Sequence, residues 1–302
     1  MNQFNGPLKI AIIGFGSQAK AWSLNLKDSG HNVSVYTRKG ITKLDDPESF
    51  NGIDLKPLSD LDASSDFYCL LIPDDQHLSC LKALEIDKAH FVLAHGYSEM
   101  KEELSSQFPH FQFSLLAPKA IASELRENYQ QKAKLFGVIE NHNNQSQFES
   151  LLNGLGITNK ISSTFQAETI ADLFSEQSLL CGLIPYAARK SFEKLTKNGI
   201  SPEVAYIECW HEVKLIANAM IEFGPRGLFE LISPNALLGA KLFSDQFFDE
   251  NFEKKLEQTL QGIQSGEFEK TESSQDFKTL KENVLKDWQN SEIEKTFQKI
   301  GK

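Results

Sequence analysis

Short apolar runs alternate with amphipathic or polar stretches along the first half of the chain. That rhythm predicts βα units around a largely parallel sheet. Candidate strands fall at 9–13, 33–38, 67–72, 90–94, 111–116 and 134–139. From about Phe165 the period changes to that of helices, with long segments at 173–195, 202–223 and 252–263 and no convincing strand between them. Ser201 can cap the second helix, Pro202 fits its first turn, and Gly224-Pro225 should end it. The expected organisation is therefore an α/β, doubly wound, Rossmann-like domain over 1–164 followed by an all-α domain over 165–302. Asn141-His-Asn-Asn-Gln-Ser-Gln147 reads as a polar loop rather than a linker.

Composition narrows the function classes. Forty-one acidic against 31 basic side chains leave a formal net charge of -10, which disfavours broad nucleic-acid binding. No uninterrupted apolar stretch approaches the ~20 residues that span a bilayer, and the opening Met1–Gly6 lacks the apolar segment of a secretory leader. The expectation is a cytoplasmic protein with no membrane partner. Cys69, Cys80, Cys181 and Cys209 form no C-x-x-C pair and are read as reduced thiols, most of them in the core.

The first strand runs into Gly14-Phe-Gly16-Ser17-Gln18-Ala19, a G-x-G-x-x-A between strand and helix. In such a loop the first glycine permits the tight turn, the second admits a pyrophosphate, and the small third residue lets the helix pack closely. The helix amino terminus then faces the phosphates. At the end of the second strand, where NAD sites carry an acid, stand Arg38 and Lys39, which suit a 2′-phosphate and favour NADPH. Pro73-Asp74, His95-Gly96 and Lys119 follow three further strands, at the edge where open α/β sheets bind ligands.

Two helical segments set carboxylates four residues apart in apolar surroundings: Asp172 with Glu176, and Glu208 with Glu212. Like charges at that spacing destabilise a helix by roughly 0.2–0.5 kcal/mol, and no Lys or Arg stands three or four residues from them to compensate. Two readings are open, a pair of solvated acidic faces or a set of ligands for hard cations such as Mg²⁺.

The stretches Gly14-Phe-Gly-Ser-Gln18, Leu71-Ile-Pro-Asp74, Ala94-His-Gly96, Ala117-Pro-Lys119, Glu168-Thr-Ile-Ala-Asp-Leu-Phe-Ser-Glu-Gln177 and Ala205-Tyr-Ile-Glu-Cys-Trp-His-Glu-Val-Lys-Leu-Ile216 resemble those of the ketol-acid reductoisomerases, short class I form. So does Ile263-Gln-Ser-Gly-Glu-Phe268, and the likeness runs nearly the whole chain in order and spacing. It implies a Mg²⁺-dependent alkyl shift in a 2-aceto-2-hydroxyacid followed by NADPH reduction to a 2,3-dihydroxyacid, a step in valine and isoleucine synthesis. By the same resemblance Asp172, Glu176, Glu208 and Glu212 serve two Mg²⁺ ions, with Glu212 and Ser233 also binding substrate. Lys119 would polarise the oxygen network, and His95 would stand between cofactor and substrate. Gly14, Gly16, Ser17, Gln18, Arg38, Pro73, Asp74 and His95 would hold NADPH. The helical domain would be knotted and intertwined in a homodimer, each site drawing residues from both chains.

The chain departs from the family pattern at four places. After Lys119 it reads Ala120-Ile-Ala-Ser-Glu-Leu-Arg126 in place of a Pro/Gly/His loop, and after Ser233 Pro-Asn-Ala-Leu-Leu replaces a segment carrying an acid and a tyrosine. Ile41 stands where a serine is expected, and Leu155–Ser163 replaces a Gly/Arg-rich approach to the helical domain. These changes keep open a reductase of another 2-keto acid, such as ketopantoate, without the alkyl shift, and a nonenzymatic NADPH-binding relative.

Overall fold

The computed structural model describes residues 6–38, 53–273 and 275–301; Lys39 and Ile41 lie outside them. The chain divides into two compact units, Met1–Thr169 and Ile170–Lys302.

The first unit is built on eight strands: β1 (Lys9–Ile13), β2 (Asn32–Thr37), β3 (Asp54–Pro57), β4 (Phe67–Leu70), β5 (Ala89–Leu93), β6 (Phe111–Pro118), β7 (Phe136–Glu140) and β8 (Asn159–Ser162). Their order is β3-β2-β1-β4-β5-β6-β7-β8, all parallel except β6 with β7. This is the doubly wound arrangement expected, extended at both edges. The short strands β3 and β8 escape the sequence reading because Asp54-Leu-Lys-Pro57 and Asn159-Lys-Ile-Ser162 carry too few apolar residues to mark a strand.

Both faces of the sheet are covered, which is why its central strands are apolar throughout. Along β1, Ile10 and Ile12 enter one core with Trp22, Leu26 and Phe148, while Ala11 and Ile13 enter the other with Tyr68, Leu70 and Phe91. Helices α1 (Ser17–Asp28), α2 (His77–Ala83), α3 (Tyr97–Glu102), α4 (Leu104–Gln107), α5 (Ala122–Gln131) and α6 (Gln145–Leu155) fill the connections. The divergent segment after Lys119 folds as α5, and its Arg126 braces α1 by donating to Asn25 Oδ1 at 2.9 Å and Asp28 Oδ2 at 2.6 Å.

The second unit is helical. Helix α7 (Phe165–Ser175) begins in the first unit and leads into a π-helical turn at Glu176–Leu183, then α8 (Ile184–Thr196). Helix α9 (Pro202–Tyr206) leads into a second π-turn at Ile207–His211 and then α10 (Val213–Leu231). The two long helices predicted as regular are thus each widened in the middle. Ser201 caps α9 as expected, accepting from Val204 N. Gly224, at φ 72° and ψ 179°, breaks α10 sharply, but a helical turn resumes at once because Pro225 suits a first helical position. Helices α11 (Pro234–Phe247), α12 (Glu250–Gln264), α13 (Glu267–Ser273), α14 (Phe277–Gln289) and α15 (Glu292–Ile300) complete the unit. Its buried centre is small: Phe192, Ala205, Tyr206 and Ile293, flanked by Cys209, Trp210 and Trp288. No residue of α10 is buried, and Ile221 is 85% exposed.

Of the four thiols only Cys69 is buried; Cys80 and Cys209 are half-buried and Cys181 is exposed, so the expectation of core cysteines holds for one of them. No helix of the described residues is long and apolar enough to cross a membrane.

Candidate active site

Five strand ends of the first unit meet at one edge of the sheet. Gly14 turns the chain out of β1 at φ +127°, its N–H bonding Tyr36 O at 2.9 Å. A Cβ on Gly14 would lie 2.2 Å from the carbonyl oxygen of Leu71, so the turn beside β4 admits no side chain there. Gly16 precedes α1 in extended backbone, and no side chain caps the helix start. Beyond its chain neighbours, no atom of the described residues lies within 4 Å of where a Cβ at Gly16 would stand. That open space belongs to a cleft of about 790 Å³ lined by Gly14, Gly16, Ser17, Gln18, Arg38, Pro73, Asp74, His77, Cys80 and His95 among others. All eight residues expected to hold the nucleotide line it. Among the described residues the buried Oε1 of Gln18 has no partner, as a group that meets a ligand donor would. A volume of this size and a helix amino terminus without a cap suit a dinucleotide.

His77, which sequence reasoning passed over, shapes the cleft wall. It is 3% exposed, with Nε2 3.0 Å from Ile72 O and Nδ1 2.6 Å from Ser98 Oγ. The carbonyl can only accept, so Nε2 carries the proton and Nδ1 accepts from the serine hydroxyl. Burial lowers its pKa, and the neutral ring pins the Ile72-Pro73-Asp74 turn.

The chemistry gathers around Glu168, on the first turn of α7. Its side chain is 2% exposed. Oε2 accepts from His95 Nδ1 at 3.0 Å and from the Gly96 N–H at 3.0 Å, and Oε1 accepts from Lys119 Nζ at 2.6 Å. Burial works to raise the pKa of this carboxyl, but His95 and Lys119 outweigh it and hold the group at about 2. Glu168 is therefore a fixed anion that orients the imidazole and tethers the ammonium. Sequence reasoning assigned it no role, although it stands one turn before Asp172 in the motif that it opens. The signal was available in that spacing, because an acid four residues before Asp172 shares its helical face. Lys119 reaches Glu168 from the end of β6, a contact that local helix spacing cannot reveal.

The other expected residues are placed as follows. Asp172 is half-buried on α7; Glu176, Glu208 and Glu212 are exposed. Among the described residues of one chain, Asp172, Glu176, Glu208 and Glu212 do not converge on a common point. Glu208 and Glu212 have no ion-pair partner among the described residues. Ser233 caps α11, its Oγ accepting from Ala236 N at 3.3 Å, which gives it a structural task apart from any ligand.

Comparison with known proteins bears on both units. Residues 6–160 match the family model described as acetohydroxy acid isomeroreductase, NADPH-binding domain, and residues 165–302 match that of ketol-acid reductoisomerase, C-terminal domain. The structure is similar to an NADH-preferring ketol-acid reductoisomerase from an uncultured archaeon, with 25% identity, 97% of this chain and 93% of that chain covered, and a TM-score of 0.82. Two more distant structures share the fold alone. One is a semialdehyde dehydrogenase NAD-binding protein from Cupriavidus necator (14% identity, 86% and 99% covered, TM-score 0.63). The other is a pyrroline-5-carboxylate reductase from Coxiella burnetii (15% identity, 86% and 98% covered, TM-score 0.56).

Proposed function

We infer, from the premise that this chain belongs to the ketol-acid reductoisomerase family, that it converts 2-acetolactate or 2-aceto-2-hydroxybutyrate to the 2,3-dihydroxyacid by alkyl migration and then reduction. The observation that carries this reading is the buried Glu168 holding Lys119 and His95 at the edge of the nucleotide cleft. A simple dehydrogenase needs one acid to meet the developing alkoxide. An alkyl shift between adjacent carbons needs charge control on two oxygens, which suits a tethered ammonium beside hard cations.

The cleft fits a nicotinamide dinucleotide, and Arg38 at the end of β2 favours the 2′-phosphate of NADPH. The preference of the archaeal relative for NADH makes this the first point to test. For Mg²⁺, the all-oxygen donor set of Asp172, Glu176, Glu208 and Glu212 has the right chemistry. In one chain these acids stand apart, so a homodimer completing each site from both subunits is part of the proposal. The bare apolar surface of α10 supports such a partner. When bound, the ions would polarise adjacent substrate oxygens and the cofactor would supply the hydride.

The protein's own groups have definite tasks. Lys119, tethered to the carboxylate of Glu168, neutralises negative charge as it develops on a substrate oxygen. His95 is held through Nδ1, which fixes the edge of the ring turned to the cleft. Glu212 and Ser233 position the substrate.

A second reading has a specific observation behind it: Leu237 and Leu238, 43% and 61% exposed, stand where the family pattern carries an acid and a tyrosine. A changed pocket could take another 2-keto acid and omit the alkyl shift. NADPH consumption measured with 2-acetolactate and with 3-hydroxy-3-methyl-2-ketobutyrate, each with and without Mg²⁺, separates the readings. The reductoisomerase uses both substrates and needs Mg²⁺ for the first. Turnover of the second alone refutes the isomerase step, and turnover of neither points to the nonenzymatic relative.

A further inference from the structure

Both acidic helices widen at their carboxylates. Glu176 opens the first π-turn, which closes with the Ile184 N–H on Leu179 O. Glu208 lies inside the second, and the N–H of Glu212 closes it on Ile207 O at 3.0 Å. Hydrogen bonding from i to i+5 is rare and is found mostly as single turns at functional sites.

The consequence can be read in the second helix. In an unbroken α-helix Ala205, Glu208, Cys209 and Glu212 would share one stripe. Ala205 is fully buried, so that register would carry Glu212 toward the packed face. The packed residues are instead Ala205, Tyr206, Cys209 and Trp210, while both acids are exposed. One extra residue in a turn rotates everything beyond it by ~100° relative to the α register. That rotation takes Glu212 off the packed face, while Trp210, four residues after Tyr206, keeps its place on it.

The first turn depends on a single residue. A Cβ on Gly182 would lie 2.0 Å from the carbonyl oxygen of Gln177, a backbone atom that a side chain cannot push aside cheaply.

We propose that the two π-turns set the register of the carboxylates for divalent cations, and that Gly182 is the positioning residue of the first. The proposal rests on the reading of these acids as ligands. Mn²⁺ titration of the full-length protein by calorimetry, with NADPH binding measured in parallel, tests it in the wild type, Gly182→Ala and Glu208→Gln. Both variants should bind Mn²⁺ at least about tenfold more weakly, as loss of a ligand or its support does, while NADPH affinity stays within about twofold. Wild-type Mn²⁺ affinity in Gly182→Ala beside loss in Glu208→Gln overturns the register proposal and leaves the ligand reading standing. Wild-type affinity in Glu208→Gln overturns the ligand reading itself. Should Gly182→Ala fail to fold, deletion of the exposed His211, which returns the second turn to α register, puts the same question: retained Mn²⁺ affinity there sinks the proposal.

Discussion

Replacing Glu168 by Gln removes a buried negative charge while keeping the shape of the side chain. A carboxyl whose pKa falls from its ordinary 4.5 to about 2 on folding contributes about 3 kcal/mol at neutral pH. Its partners are partly wet, Lys119 at 36% and His95 at 26% exposure, so solvent relieves some of their loss. The amide adds a second difficulty. One of its termini is an NH₂, which must face either Lys119 Nζ or the pair of donors His95 Nδ1 and Gly96 N, where only acceptors now sit. The expected destabilisation is about 2–3 kcal/mol, a fall in melting temperature on the order of 5–10 °C. The pH dependence follows from the sign of the shift. A depressed carboxyl pKa stabilises above 4.5, and the contribution fades as pH drops toward 2, so at about pH 3 the gap between wild type and variant should be less than half its neutral value. Melting curves followed by circular dichroism at several pH values measure it. Equal melting temperatures at pH 7, or a gap that does not change with pH, would refute the electrostatic account of Glu168. In the same variant kcat should fall with little change in the KM for NADPH, because the glycine turn is untouched.

Gly14→Ala places a Cβ against Leu71 O at a backbone angle costing ~1–3 kcal/mol for a non-glycine residue, and fluorescence titration should find NADPH binding largely lost. Arg38→Ala should weaken NADPH by roughly tenfold or more and leave NADH nearly unchanged; equal losses for both would remove Arg38 from the 2′-phosphate site. Ser233→Asp keeps a cap on α11 whereas Ser233→Ala costs about 1 kcal/mol of stability. If the hydroxyl also binds substrate, both variants should show a raised KM while only the alanine variant melts early. A wild-type KM in Ser233→Asp restricts Ser233 to capping.

Much of the site at the sheet edge was legible in the chain itself. The turn at Gly14, the cation at Arg38, and Pro73, Asp74, His95 and Lys119 each follow an apolar strand, and a parallel sheet brings all such ends to one side. The weakly apolar strands β3 and β8 were hidden because edge strands need little hydrophobic surface to pair through their backbones.

The sequence by itself determined the alternation of strands and helices, the passage to an all-helical second half, and which residue types stand at the strand ends. These follow from local periodicity and from spacing within a turn. Only the tertiary structure decided that Lys119 and His95 close on Glu168, because that meeting joins residues 49 and 73 positions away from it. Only the tertiary structure, too, widened both acidic helices into π-turns. Sequence spacing assumes 3.6 residues per turn, and the i to i+5 bonds closed by Ile184 and Glu212, with the close approach at Gly182, depart from it.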